Sequence, residues 1–145
     1  MSYRVLVSAP YFLPEVGRFR DYFSKHDLEA VIADVEERLE EDELLGLVGD
    51  IDAVVCGDDR FTARVMDAAP RLKVISKWGT GIDSIDSAAA AARGIRVCRT
   101  PNAFTHPVAD TVLGYILCFA RNLPFMDDAM KRGEWKKIPG RAMNE

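Results

Sequence analysis

Along the first hundred residues, apolar positions follow two periods that replace each other in turn. Val5, Leu6 and Val7 lie in a short β run from Arg4 to Ala9, closed by Pro10. Pro14 opens a helical pattern to Lys25 that sets Phe19, Tyr22 and Phe23 on one inner face. A second β run covers Leu28–Ala33. An acidic helical pattern from Glu36 to Val48 then turns Leu39, Leu44, Leu45, Leu47 and Val48 inward, its carboxylates reading as a solvated face. Ile51–Cys56 is so nearly continuous in apolar residues that burial on both sheet faces is expected. Thr62 can cap a short helix to Ala69, and Pro70 leads into the run Leu72–Ser76. A helix over Ile85–Arg93, stopped by Gly94, and a last run, Ile95–Cys98, complete the series. Strands alternating with helices predict an α/β fold on a parallel, doubly wound sheet of about five strands.

Such a sheet, flavodoxin-like in plan, accounts for residues 1–101. From 102 to 145 the character changes. Thr105 or His106 can cap a helix with Pro107 at its first position and Asp110 in its first turn. From Val108 to Leu123 that helix reads as long and apolar nearly all round, and Pro124 kinks or ends it. A helix of that kind must be covered on more than one side.

Candidate chemistry concentrates between the fourth and fifth runs. Lys77-Trp78-Gly79-Thr80-Gly81-Ile82-Asp83 begins where a strand ends, at the sheet edge where loops and helix N-termini converge and ligands bind. Gly79 and Gly81 add no Cβ, so the backbone N–H groups of the loop can approach an anion closely. The loop is not a dinucleotide fingerprint. Its third glycine position is Ser84, and the next strand ends at Arg99 where an acidic residue would be needed. A small-anion loop is the better reading. Gly57-Asp58-Asp59-Arg60 follows the third run at the same edge, with Lys77 and Arg60 as cations able to face the cleft or solvent. A second anion there would meet Asp58 and Asp59 and be repelled.

Four motifs in order, Lys77-Trp-Gly-Thr-Gly-Ile-Asp-Ser-Ile-Asp86, Arg93-Gly-Ile-Arg-Val97, Thr100-Pro-Asn102 and Val108-Ala-Asp110, resemble the D-isomer-specific 2-hydroxyacid dehydrogenases. That family includes phosphoglycerate dehydrogenase and glyoxylate/hydroxypyruvate reductase. The resemblance runs from Tyr3 to about Trp135 and implies an NAD(P)-dependent oxidoreductase of two α/β domains acting on a small 2-hydroxy or 2-keto acid. It implies that Thr80 and Gly81 hold the substrate carboxylate, with Gly79, Lys77, Trp78, Asp58 and Arg60 around them. Thr105 would lie at the hinge near the cofactor. It also implies that the helix opened by Pro107 is buried against a second subunit, and its apolar residues lead us to expect a homodimer or higher oligomer through residues 107–125. The family's Gly-x-Gly-x-x-Gly and its catalytic arginine, glutamate and histidine have no counterpart in this chain. His26 comes too early, and His106 reads as a cap or surface residue. We therefore expect a substrate-domain piece with no catalytic residue and no metal site of its own, no bound NAD or NADP, and no turnover by itself.

The remaining composition narrows the partners. A net charge of −4 without a Lys/Arg stripe argues against nucleic acid. No apolar run reaches the length of a membrane span. Cys56, Cys98 and Cys118 are odd in number, unpaired in pattern and set in apolar segments, which predicts buried reduced thiols in a cytoplasmic protein. Two other classes fit the same alternation. A receiver-like phosphoacceptor domain would use Asp58 or Asp59 and Lys77, but it needs an acidic pair where Ser8-Ala9-Pro10 stands. A non-catalytic small-ligand module is the other.

Overall fold

The computed structural model describes residues 2–143. It separates into two compact units, Met1–Asn102 and Ala103–Glu145.

The first unit is built on five strands, β1 (Tyr3–Val7), β2 (Leu28–Ile32), β3 (Ala53–Cys56), β4 (Val74–Lys77) and β5 (Arg96–Cys98). They form one parallel sheet in the order β2-β1-β3-β4-β5. This is a doubly wound order, and its direction of winding reverses between β1 and β3. Alternate residues serve opposite faces. Leu6, Val54, Cys56 and Ile75 enter the main core with Leu44, Val48, Val65, Met66, Ala89 and Ala90. These come from α2 (Glu41–Leu45), α3 (Ala63–Asp67), α4 (Ser87–Ala92) and their flanks. Val7, Ala9, Ala30 and Val55 face the other way and pack with Phe12, Leu13 and Val16. The central strand β3 is thus fully buried on one face, through Val54 and Cys56, and only half-buried on the other, through Ala53 and Val55.

Two helical expectations in this unit are corrected. The segment after β1 is a 3-10 helix, Leu13–Phe19, followed by α1 (Arg20–Lys25), and neither buries a residue. The inward aromatic is Phe12, with Phe19 and Tyr22 left 40% and 58% exposed. Phe12 sits in the turn held by its N–H to the Ala9 carbonyl (2.9 Å), so it reaches the core before the helix begins. The acidic helix is also far shorter than its pattern. Leu39 donates its N–H to Asp59 Oδ1 (2.7 Å) and accepts from the Arg60 N–H (3.0 Å), which holds residues up to 40 as loop. Glu43 then accepts the Glu40 N–H (2.8 Å) and starts α2 at Glu41.

The second unit contains α5 (Thr105–Arg121) and α6 (Leu123–Lys131). α5 begins two residues earlier than its proline suggests, so Asp110 falls beyond the first turn. Thr105, His106, Asp110, Thr111 and Arg121 interrupt its apolar positions, which makes it a mixed helix in place of the long apolar one expected. Asn122 takes a left-handed conformation (φ 55°) between the two helices, and Pro124 sits in the first turn of α6. Among the described residues no helix is long and apolar enough to cross a membrane.

Candidate functional site at the C-terminal sheet edge

The loops after β3 and β4 are stitched side by side. The Trp78 N–H donates to the Cys56 carbonyl (2.8 Å), Phe61 donates to Ser84 (3.0 Å), and Asp86 donates to Phe61 (2.9 Å). Phe61 and Ile85 form an isolated parallel bridge. The loop after β5 closes the other side. The Thr100 N–H donates to Gly79 (2.9 Å), the Thr80 hydroxyl donates to the Thr100 carbonyl (3.0 Å), and Arg99 donates to the Thr80 carbonyl (3.2 Å). These contacts consume carbonyls and the hydroxyl. Among the described residues, the N–H groups of Gly79, Thr80 and Gly81 donate to nothing. Gly81 is not left-handed, and a Cβ there would make ordinary contact with Asp83 Oδ2 at 3.5 Å. Its missing side chain keeps the backbone open; it does not serve a special turn.

Lys77 closes β4 and turns inward. It is 5% exposed, and its ammonium donates to the Gly57 carbonyl (2.6 Å) and to the Asp58 carboxylate. Arg60 is exposed and lies 3.7 Å from Glu40. Trp78 is 41% exposed and stacks on the buried Phe12 ring, centroids 4.7 Å apart. Candidates Lys77, Trp78, Gly79, Thr80, Gly81 and Asp58 are therefore brought together, while Arg60 pairs away from them. Thr105 opens α5 in the second unit.

Asp58 and Asp59 part company. Asp58 lies on the surface, whereas Asp59 is fully buried and accepts from Ser8 Oγ (2.6 Å) and the Leu39 N–H (2.7 Å). Burial pushes the Asp59 carboxyl above the usual aspartate range, against the pull of those hydrogen bonds. Sealed from solvent, it presents no carboxylate on the open side of the loop, where the sequence sets it beside Asp58. The sequence placed Ser8 and Asp59 at this edge but not the hydrogen bond between them. Ser8 follows β1 directly, but Gly57 and Asp58 separate Asp59 from β3, so no local pattern pairs the two.

The same edge does not fit a dinucleotide. The Asp86 carboxylate accepts the Ala89 N–H (2.8 Å), so it already occupies the start of α4 where a pyrophosphate would sit and adds a repelling charge. Among the described residues no group of three or more His, Cys, Asp or Glu is placed to hold a metal. Cys56 is buried and its thiol is pushed up to about 12, chiefly by burial, which removes it as a nucleophile.

The family's sequence model for the D-isomer specific 2-hydroxyacid dehydrogenase catalytic domain matches residues 6–134. The chain belongs to this family. It is 43% identical over 97 residues to glyoxylate reductase from Thermofilum pendens, covering 66% of this chain and 29% of that protein. It is 36% identical over 112 residues to human D-3-phosphoglycerate dehydrogenase, covering 75% of this chain and 21% of that protein. Among solved dehydrogenases, the NADPH-dependent glyoxylate/hydroxypyruvate reductase of Sinorhizobium meliloti, in complex with NADP and malonate, superposes with a TM-score of 0.71 at 26% identity. That match covers 99% of this chain and 44% of the reductase. The chain therefore spans less than half the length of each of these dehydrogenases.

Proposed function

We propose that this chain is the substrate-binding domain of an NAD(P)-dependent oxidoreductase acting on the CH–OH group of small D-2-hydroxy acids and the corresponding 2-keto acids. The observation that carries the reading is the row of unused N–H groups at Gly79, Thr80 and Gly81, held open by the Thr100 contacts on a family-typed domain. Oriented amides of this kind suit a carboxylate, with Arg99 supplying positive charge nearby. Lys77, Trp78 and Asp58 border the seat, and Arg60 is the weakest member of the set. Hydride transfer needs NAD or NADP, which we place outside residues 1–145 with the groups that move the proton. Thr105 stands where the chain leaves the substrate domain, as a hinge. The protein works in the cytoplasm, and two copies associate through residues 107–125.

A receiver reading has less support. Asp59 is sealed behind Ser8 and Leu39, and β1 is followed by Ser8-Ala9-Pro10 where an acidic pair would be needed. The test is kinetic and uses the full-length protein. It should reduce glyoxylate or hydroxypyruvate with NADH or NADPH, and residues 1–145 alone should show no turnover. Turnover by those residues alone, or none by the full-length protein, defeats the reading.

A further inference from the structure

Relatives of this chain include both a glyoxylate reductase and a phosphoglycerate dehydrogenase, so the family leaves open whether a second anion is accepted. We infer that Asp58 decides it. Its carboxylate occupies, as part of the protein, the cation that a substrate's second anionic group would need, and restricts the site to 2-keto and 2-hydroxy acids bearing a single negative charge. This inference rests on the proposed carboxylate seat at Gly79–Gly81.

The geometry runs through Lys77. Its stem lies under the glycine loop, since a Cβ placed on Gly79 would sit 3.2 Å from Lys77 Cε. The charged end is therefore next to the anion seat, in a side chain only 5% exposed. A buried ammonium needs compensation, and it is compensated from within, by the Gly57 carbonyl at 2.6 Å and by Asp58. Asp58 is 77% exposed on its side chain, so it closes the lysine from the solvent side. Arg60 does not replace the lost charge, because it lies against Glu40. A phosphate or second carboxylate arriving here finds the lysine already paired and a like charge in front of it. Discrimination comes from an unfavourable contact with the wrong ligand. An acid with a single charge places its carboxylate on the amides and meets no such contact.

Two measurements test this. In the full-length enzyme, kcat/KM should favour hydroxypyruvate over 3-phosphohydroxypyruvate by about tenfold or more, the order expected of one like-charge contact at a few ångströms with an exposed carboxylate. Asp58→Asn keeps a neutral acceptor for Lys77, and it should narrow that ratio by about tenfold, mainly through the KM of the phosphorylated acid. Asp58→Asn combined with Lys77→Gln should lose the gain, since no cation is left to receive the phosphate. Calorimetric titration with glycolate and 3-phosphoglycerate supplies a readout free of turnover, with the melting temperature of each variant followed alongside. Equal use or equal binding of the two acids by the unmodified protein overturns the inference, as does an Asp58→Asn variant with an unchanged ratio. Failure of both acids to bind overturns it together with the anion seat. Selective glycolate binding without turnover sustains it and sinks the oxidoreductase reading alone.

Discussion

Ser8 at the end of β1 donates its hydroxyl to Asp59 after β3 across 2.6 Å, in a site where neither residue is exposed. With the Leu39 N–H on the other carboxylate oxygen, this one side chain ties together three segments at the edge that carries the site. Asp59→Ala leaves a buried hydroxyl and a buried amide unpaired, at about 1–3 kcal/mol each. We expect a clear drop in melting temperature, with the neighbouring loops at this edge loosened as a consequence.

The pH dependence of that tie has a definite sign. Burial raises the Asp59 carboxyl above its unfolded value, so its contribution is fully present below about 3.9 and is lost as pH rises through the raised value. The stability gap between the parent chain and Asp59→Asn should therefore be widest in acid and narrow upwards. Urea titrations from pH 3 to 7 (about the range in which carboxyls titrate) decide it, and a gap that widens with pH contradicts the assignment.

Cys56 should resist modification. It is buried with its thiol raised to about 12, whereas Cys98 and Cys118 are half-buried. With iodoacetamide at pH 8, near the ordinary range of a free thiol of about 8.5, Cys98 and Cys118 should label first. Cys56 should label only after denaturation, as mass spectrometry of the peptides would show.

Two glycines should respond differently. Gly94 is left-handed (φ 68°), so Gly94→Ala should cost about 1–2 kcal/mol of stability without touching the substrate loop. Gly81 carries no such strain, so Gly81→Val should leave melting nearly unchanged while raising the KM for the keto acid more than tenfold, roughly the loss of one charge-assisted hydrogen bond. A normal KM in Gly81→Val would remove the carboxylate seat.

The last prediction concerns association. Val112, Leu113, Ile116, Leu117 and Phe119 of α5 are 41–84% exposed. Burying each is worth roughly 1.5–3 kcal/mol. We expect sedimentation at micromolar concentration to show a dimer, a range in which interfaces of modest area already hold, and Ile116→Asp with Leu117→Asp to release monomers. A parent chain that sediments as a monomer overturns the assignment of residues 107–125.

The sequence by itself determined the sheet. Each β run from Val5 to Val97 became a strand, because short apolar runs and the turn residues that bound them are local properties. The glycine loop was legible for the same reason, since Gly79 and Gly81 follow a strand directly. What depended on partners distant in sequence was decided only in three dimensions. The helical pattern from Glu36 lost its first turn to Asp59, twenty residues away from Leu39. Lys77 turned from a cleft cation into a buried one because Gly57 and Asp58 lie alongside it, and Phe12 displaced Phe19 and Tyr22 from the core. Of two adjacent aspartates, Asp59 is sealed and Asp58 exposed, and only the packing of β1 against β3 shows which one is structural. A hydrogen bond across the sheet outweighs a propensity of a few tenths of a kcal/mol per residue, and sequence spacing does not carry that comparison.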